Sequence, residues 1–337
     1  LLAQPFDPAA RRVTGEARML APRLGTLHGT NISYRRRNVT ASSTGLVLYD
    51  PNPDRQRSQV LWVDRQGRTL ETLAGLTEVS VPYLSPDGAR VAVARKDLTT
   101  NNNDLWLAAA DGRGAVRFTF DAASDILGIW SRDGRRITWA STRKGVFDLY
   151  QKDVGGDGRD TLLLESRLNK FPLDWSPDGR VLLYRQIDPE TRHDLWVLEA
   201  GKPSPYLNTK AMENGGAFSP DGRWVAYASD ESGRFEVYVE RFPDHGGRRQ
   251  ISPDGGVAPR WRADGRELYY QTGDGLLMAA PVTDAGAMAF GAVTELFPFR
   301  PAGTGIVASF APARDGQRFL LSAIVEADPR AAVALVP

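Results

Sequence analysis

Trp175-Ser176-Pro177-Asp178-Gly179-Arg180-Val181-Leu182-Leu183-Tyr184, continued after a polar loop by Asp194-Leu195-Trp196-Val197, is the stretch on which the fold turns. Asp-Gly suits a tight turn, because glycine accepts positive φ without a Cβ clash and the Asp side chain can bond nearby backbone N–H groups. The β-branched and aromatic run that follows reads as a strand, and Asp194 to Val197 reads as a second strand. Outward from here the pattern repeats. Full copies of the turn stand at Ser85-Pro86-Asp87-Gly88, Ser131-Arg132-Asp133-Gly134 and Ser219-Pro220-Asp221-Gly222; weaker ones stand at Arg262-Ala263-Asp264-Gly265 and Ala313-Arg314-Asp315-Gly316, with a degenerate first copy at Ala41-Ser42-Ser43-Thr44-Gly45. Successive glycines from Gly45 to Gly316 are 43, 46, 45, 43, 43 and 51 residues apart, the period of a four-stranded propeller blade. Ser252-Pro253-Asp254-Gly255 falls out of register and reads as an inter-blade loop.

Seven copies predict an all-β, seven-bladed propeller, with six or eight blades as alternatives, and no lasting 3.6-residue apolar period competes with that reading. Residues 1–22 match residues 277–298 without a gap at an offset of 276, about six repeats. The whole chain, 1–337, is therefore expected to be one propeller whose closing blade is shared between about 1–22 and about 303–337, leaving no free sheet edge. Val333-Ala334-Leu335-Val336 is a rival strand for the place of the first residues. The chain opens Leu1-Leu2-Ala3-Gln4-Pro5 in the middle of a repeat, so a fragment or processed product is expected.

Units of the form Trp-Ser-Pro-Asp-Gly-Arg, β-run, Asp-Leu-Trp-Val resemble the WD40-like repeats of TolB-type propellers. More narrowly, Leu2-Ala3-Gln4-Pro5-Phe6-Asp7, Thr14-Gly15-Glu16, Gln66-Gly67-Arg68 and Pro259-Arg260-Trp261 are similar to the C-terminal propeller region of bacterial serine/threonine protein kinases. The resemblance implies an extracytoplasmic sensor or interaction module, periplasmic or at the cell surface, with any membrane tether outside this chain. The kinase Gly-rich loop, strand Lys and His-Arg-Asp motif are missing from the sequence, so no kinase activity is expected.

Composition narrows the function classes. With 42 Lys+Arg against 41 Asp+Glu, the net charge of +1 gives no field suited to nucleic acid or an anionic membrane. No run has the roughly 18 apolar residues of a membrane helix. The absence of cysteine excludes thiol catalysis and Cys-ligated metals. There is no Gly-x-Ser-x-Gly or His-Glu-x-x-His, and the three histidines, His28, His193 and His245, stand in polar segments. One Asp per repeat cannot converge on a single calcium ion, so the repeated aspartates read as turn formers, and no metal or cofactor is expected. The repeated tryptophans read as packing between blades.

The expected function is non-catalytic binding of a protein or peptide. The candidate contacts lie in the loops between second and third strands and between blades: Lys96, Asn101, Asp125, Arg143, Lys170, Arg192, His193, Glu213, Arg234 and Arg260. Their mixed charge suits a protein surface better than a polyanion. The alternative is an enzyme module, either a metal-dependent propeller hydrolase or lactonase, or the gating propeller of a serine peptidase.

Overall fold

The computed structural model describes residues 56–97, 99–155, 158–302 and 308–326, together with 2–3, 6–7, 10–16, 18–19, 26–28, 35–37, 39–41, 47–49 and 334–336. The chain divides into two compact units, Ser58–Ala323 on the one hand and Leu1–Arg57 with Ile324–Pro337 on the other. No helix is long and apolar enough to cross a membrane among the described residues.

Ser58–Ala323 is an all-β propeller. Blade one runs outward from Tyr83–Leu84 through Arg90–Lys96 and Asn103–Ala109 to Val116–Arg117. Blade two starts at Asp125–Trp130, blade three at Asn169–Trp175, blade four at Glu213–Phe218 and blade five at Val257–Trp261, each antiparallel and in chain order. The sixth has the order Thr69–Thr77, Gln56–Asp64, Arg318–Glu326, Phe310–Pro312. The blades therefore number six, not seven. The physical reason is that the outer strands after Gly45 and the inner strands around Gly316 are two halves of one sheet, so the first and last turn copies belong to a single blade. Residues 42–46, which hold most of that first copy, lie outside the described residues.

Residues 1–22 do not supply the closing strands; residues 56–77 do. In the other unit Leu2 pairs with Met19 and Ala3 with Arg18. At the 276-residue offset these are the very pairs Met278 with Glu295 and Ala279 with Thr294 of blade five. The sequence repeat thus extends to strand register, although the segment serves a different sheet. Ala334–Val336 pairs with Val47–Tyr49 and so does not compete with Leu2–Ala3.

The four turns that begin with Ser are built alike. In blade three, Asp178 accepts from the Ser176 hydroxyl, and Oδ1 of Asp178 accepts the Arg180 N–H at 3.1 Å, while Ser176 Oγ accepts the Val181 N–H at 2.9 Å; Gly179 has φ +71°. The serine bond holds the carboxyls of Asp87, Asp133 and Asp178 below the ordinary aspartate range. In these turns Oδ1 of each aspartate is spent on the serine hydroxyl and a backbone N–H two residues on. Tryptophans tie blade to blade: next to the turns Trp130 Nε1 donates to the Tyr83 carbonyl at 2.9 Å and Trp261 Nε1 to that of Ala217 at 3.2 Å, and from within strand Gln56–Asp64 Trp62 Nε1 donates to that of Ala110 at 2.7 Å. Trp62, Trp139, Tyr184, Tyr227 and Tyr269 are almost completely buried. They fill the gaps between blade faces, where each aromatic removes a large apolar area from water. Across the closure, Arg65 donates to both carboxylate oxygens of Glu267, at 3.1 and 2.9 Å, and to the Gly316 carbonyl at 2.9 Å.

Candidate functional site

The innermost strands run from a loop face, where Asp125, Lys170 and Glu213 stand at or next to the strand starts, to a turn face carrying the Asp-Gly turns. On the loop face, carboxylates at or next to the start of the third strand in blades one, two and four hold the chain that follows. Asp104 accepts from Arg117 Nη2 at 2.9 Å, Asp148 Oδ1 from the Ser166 N–H at 3.1 Å, and Glu236 from the Gly255 N–H at 3.0 Å. The last contact places Ser252-Pro253-Asp254-Gly255 between blades four and five, the inter-blade loop its register suggested.

Several of the ten candidate residues are consumed by the same work. Lys170 is fully buried, and its ammonium lies 2.8 Å from Asp148 Oδ1 and 2.8 Å from Ser166 Oγ. Asp125 is also fully buried, with Arg143 Nη2 at 3.1 Å from its Oδ2; burial raises its carboxyl above the ordinary range. Arg143 reaches Asp160 and Asp121 as well and lies 4.8 Å from the centre of the Tyr150 ring. An ion pair at this depth must be complete, because removing one partner strands a charge in a poor solvent. These three side chains hold loops in place and are not free to meet a partner.

Arg192, His193 and Glu213 are brought together around Asp230. Arg192 Nη2 lies 3.6 Å from Asp230 Oδ2, and the Met212 N–H next to Glu213 donates to Asp230 Oδ1 at 2.7 Å. Glu213 accepts from the Thr209 hydroxyl, and burial pushes its carboxyl up to about 7, with Asp194 and Asp230 adding repulsion. Burial pulls His193 down to about 4, assisted by the charges of Arg185 and Arg192. His193 Nδ1, Glu213 Oε2 and Asp194 Oδ1 are buried without a hydrogen-bond partner. The group has no three-ligand geometry for a metal: no cluster of three or more His, Cys, Asp or Glu is placed to hold one among the described residues.

Lys96, Asn101, Arg192 and Arg234 are exposed on the loop face. Asn101 and Arg192 sit in the left-handed region at φ +60° and +76°. Arg234 is braced by Glu236 at 2.6 Å and by the Pro253 carbonyl at 2.7 Å. Arg260 is apart from the rest. It lies near the far end of its strand, on the turn face, where its guanidinium is 6.0 Å from the centre of the Tyr83 ring. It faces a cavity of about 420 Å³ to which all six blades contribute.

Two features escaped sequence reasoning. Arg185 is buried beneath the loop face, where it donates to Asn214 Oδ1 at 3.1 Å and lies 4.4 Å from the Phe171 ring centre; burial lowers it to about 10. Its position inside the apolar run Val181 to Tyr184 and Ile187 was the available signal. The cavity gave no local signal, since its walls come from turns some 45 residues apart.

No protein-family model matches the chain. It is similar to the Tol-Pal system protein TolB of Anaeromyxobacter dehalogenans, 32% identical over 164 residues that cover 46% of this chain and 37% of that protein. It is also similar to an uncharacterized peptidase of Bacillus subtilis, 26% identical over 222 residues covering 51% of this chain and 33% of that one. The chain thus spans about a third of the length of these curated relatives. Among solved structures, the putative TolB from Agrobacterium tumefaciens superposes with a TM-score of 0.62 at 19% identity, covering 80% of this chain and 99% of that one. The fold is a TolB-like β-propeller.

Proposed function

We propose that this propeller is a non-catalytic protein-binding module working outside the cytoplasm, and that its loop face is the contact surface. The observation that carries the reading is the division of labour on that face. Buried charges such as Lys170 and Asp125 are spent on holding the loops, while Lys96, Asn101, Arg192 and Arg234 are exposed on the resulting frame. Exposed charges on rigid loops steer and orient a partner without destabilising the scaffold. Similarity to TolB supports the periplasm as the compartment. The resemblance to propellers of bacterial kinases extends the reading to the sensor part of a larger regulator.

A second reading draws on the relative described as a peptidase. There the propeller would be the non-catalytic portion of a longer enzyme.

Site-specific photo-crosslinking in the bacterial periplasm tests the proposal. A benzophenone amino acid at Lys96, Arg192 or Arg234 is expected to yield a discrete adduct, and the same probe at Leu70 or Val116 on outer strands is not. Arg192→Glu should abolish the adduct formed from Lys96 while leaving the melting temperature unchanged. Equal adducts from the outer strands, or an adduct indifferent to Arg192→Glu, would place the contact surface elsewhere.

A further inference from the structure

The turn face holds a different chemistry from the loop face. The cavity of about 420 Å³ lies within the Ser58–Ala323 unit, where the six inner turns meet, and has the size of a small-ligand site. Its walls are largely apolar and aromatic, with Tyr83, Trp130, Phe218 and Trp261 among them. Its charged residues are four arginines, Arg132, Arg260, Arg262 and Arg314, and one carboxylate, Asp174.

Two of the arginines are already neutralised. Arg132 Nη2 lies 2.8 Å from Asp174 Oδ2, which also accepts the Phe218 N–H at 2.9 Å, while Asp174 Oδ1 accepts the Trp175 N–H at 2.9 Å. Arg262 meets Glu267 at 3.1 Å and Asp264 at 3.2 Å. Arg260 and Arg314 are different. Arg260 Nη1 donates to the carbonyl of Pro259 at 2.9 Å, and Arg314 Nη1 donates to that of Pro86 at 3.2 Å. Neither has a carboxylate partner among the described residues. Each guanidinium carries five N–H donors, so both keep donors for an incoming anion. Confined next to low-dielectric walls, such uncompensated charge acts more strongly than the same charge on an open surface.

We propose that this cavity binds a carboxylate joined to an apolar body, with Arg260 and Arg314 receiving the carboxylate and the aromatic wall receiving the body. The planar fork of an arginine matches a carboxylate in two parallel hydrogen bonds. The carboxylate could belong to a free small acid or to a polypeptide; the chemistry recognised is the same. The site is separate from the loop face, so its fate does not decide the reading of that face.

Isothermal titration of the purified chain provides the test, using 4-phenylbutyrate against 4-phenyl-1-butanol, and acetyl-Gly-Phe-Phe with a free C-terminus against its amide. Both acids are expected to bind more tightly than their uncharged twins by on the order of tenfold, the ratio expected of one charge-assisted hydrogen bond. Arg314→Ala, an exposed position that leaves no void, and Arg260→Met should each weaken acid binding about as much. Arg192→Glu should leave it unchanged. Tighter binding of the peptide acid assigns the source to a polypeptide, and equal or tighter binding of phenylbutyrate assigns it to free acids; either supports the site. Acids that bind no better than their twins, acids that do not bind, or affinities untouched by Arg314→Ala and Arg260→Met would overturn it.

Discussion

Glu213 and His193 stand near Asp230 on adjoining blades, and their burial makes opposite demands on pH. The Glu213 carboxyl titrates near 7 in the folded chain against an ordinary 4.5, so between those values the folded state holds a proton that the unfolded state has lost. Stability therefore falls as pH rises across that window. His193 titrates near 4 against an ordinary 6.5, so between those values the unfolded state holds the extra proton, and stability falls as pH drops. One proton of difference is worth about 1.4 kcal/mol per pH unit. Over their windows each group amounts to at most about 3 kcal/mol, and for His193, whose ring is partly open to solvent, screening brings this nearer about 2 kcal/mol. From roughly pH 4.5 to 6.5 the two slopes oppose each other and nearly cancel. Single substitutions should unmask them. Denaturant unfolding followed by tryptophan fluorescence, repeated at half-unit steps from pH 4.5 to 7.5, reads the effect. Relative to Glu213→Gln, the parent chain should lose stability steadily as pH rises; relative to His193→Asn, it should lose stability as pH falls. Burial also raises Asp125, whose contribution is common to the paired curves and drops out, and Asp194, which repels Glu213 and so belongs to the difference that Glu213→Gln reads. Parallel curves for the parent and Glu213→Gln would refute the reasoning, because they would mean that Glu213 ionises in the folded state as it does in water.

Arg143→Ala should cost about 3–5 kcal/mol, since it leaves fully buried Asp125 without its cation, whereas Arg192→Ala should stay within about 0.5 kcal/mol; urea midpoints of the two variants measure the contrast. Trp139→Ala should cost about 3–5 kcal/mol, because the ring is fully buried between Phe118 and Tyr150 at centroid distances of 6.1 Å each. A melting temperature unchanged by that substitution would mean that the blade interface does not depend on the aromatic.

The repeat was legible because its causes are local. Ser, Asp and Gly at fixed spacing close a turn on themselves, and the strands that follow announce their period over a handful of residues. Ring closure was not legible in the same way. Strand Gln56–Asp64 finds its partner more than 250 residues away in Arg318–Glu326, and two half-copies at the ends of a repeat array look like two whole blades until that pairing is seen. Burial of the loop charges was hidden for a related reason. Lys170 reads as a solvated loop residue until Asp148 and Ser166 enclose it, and Asp125 does so until Arg143 arrives from the next loop. Of the ten candidates, Lys96, Asn101, Arg192 and Arg234 keep the exposed character that mixed loop charge suggested, while Arg260 proved to face the opposite end of its strand.

The two ends of the innermost strands therefore divide stability from recognition by a common rule. A charge deep in the fold is tolerated only with its partner in place, so Lys170 and Asp125 are fixed by the scaffold and offer little to a ligand. A charge at a rim can stay uncompensated because water still reaches it, and what it loses in stability it retains as free donors for an anion. Arg260 and Arg314 stand in that position at the turn face, beside aromatic walls, and Lys96 stands in it at the loop face, beside none of the cavity's apolar surface. In the readings proposed above, the net charge of +1 over the whole chain divides into one end that orients a broad protein surface and another that encloses a small anionic group.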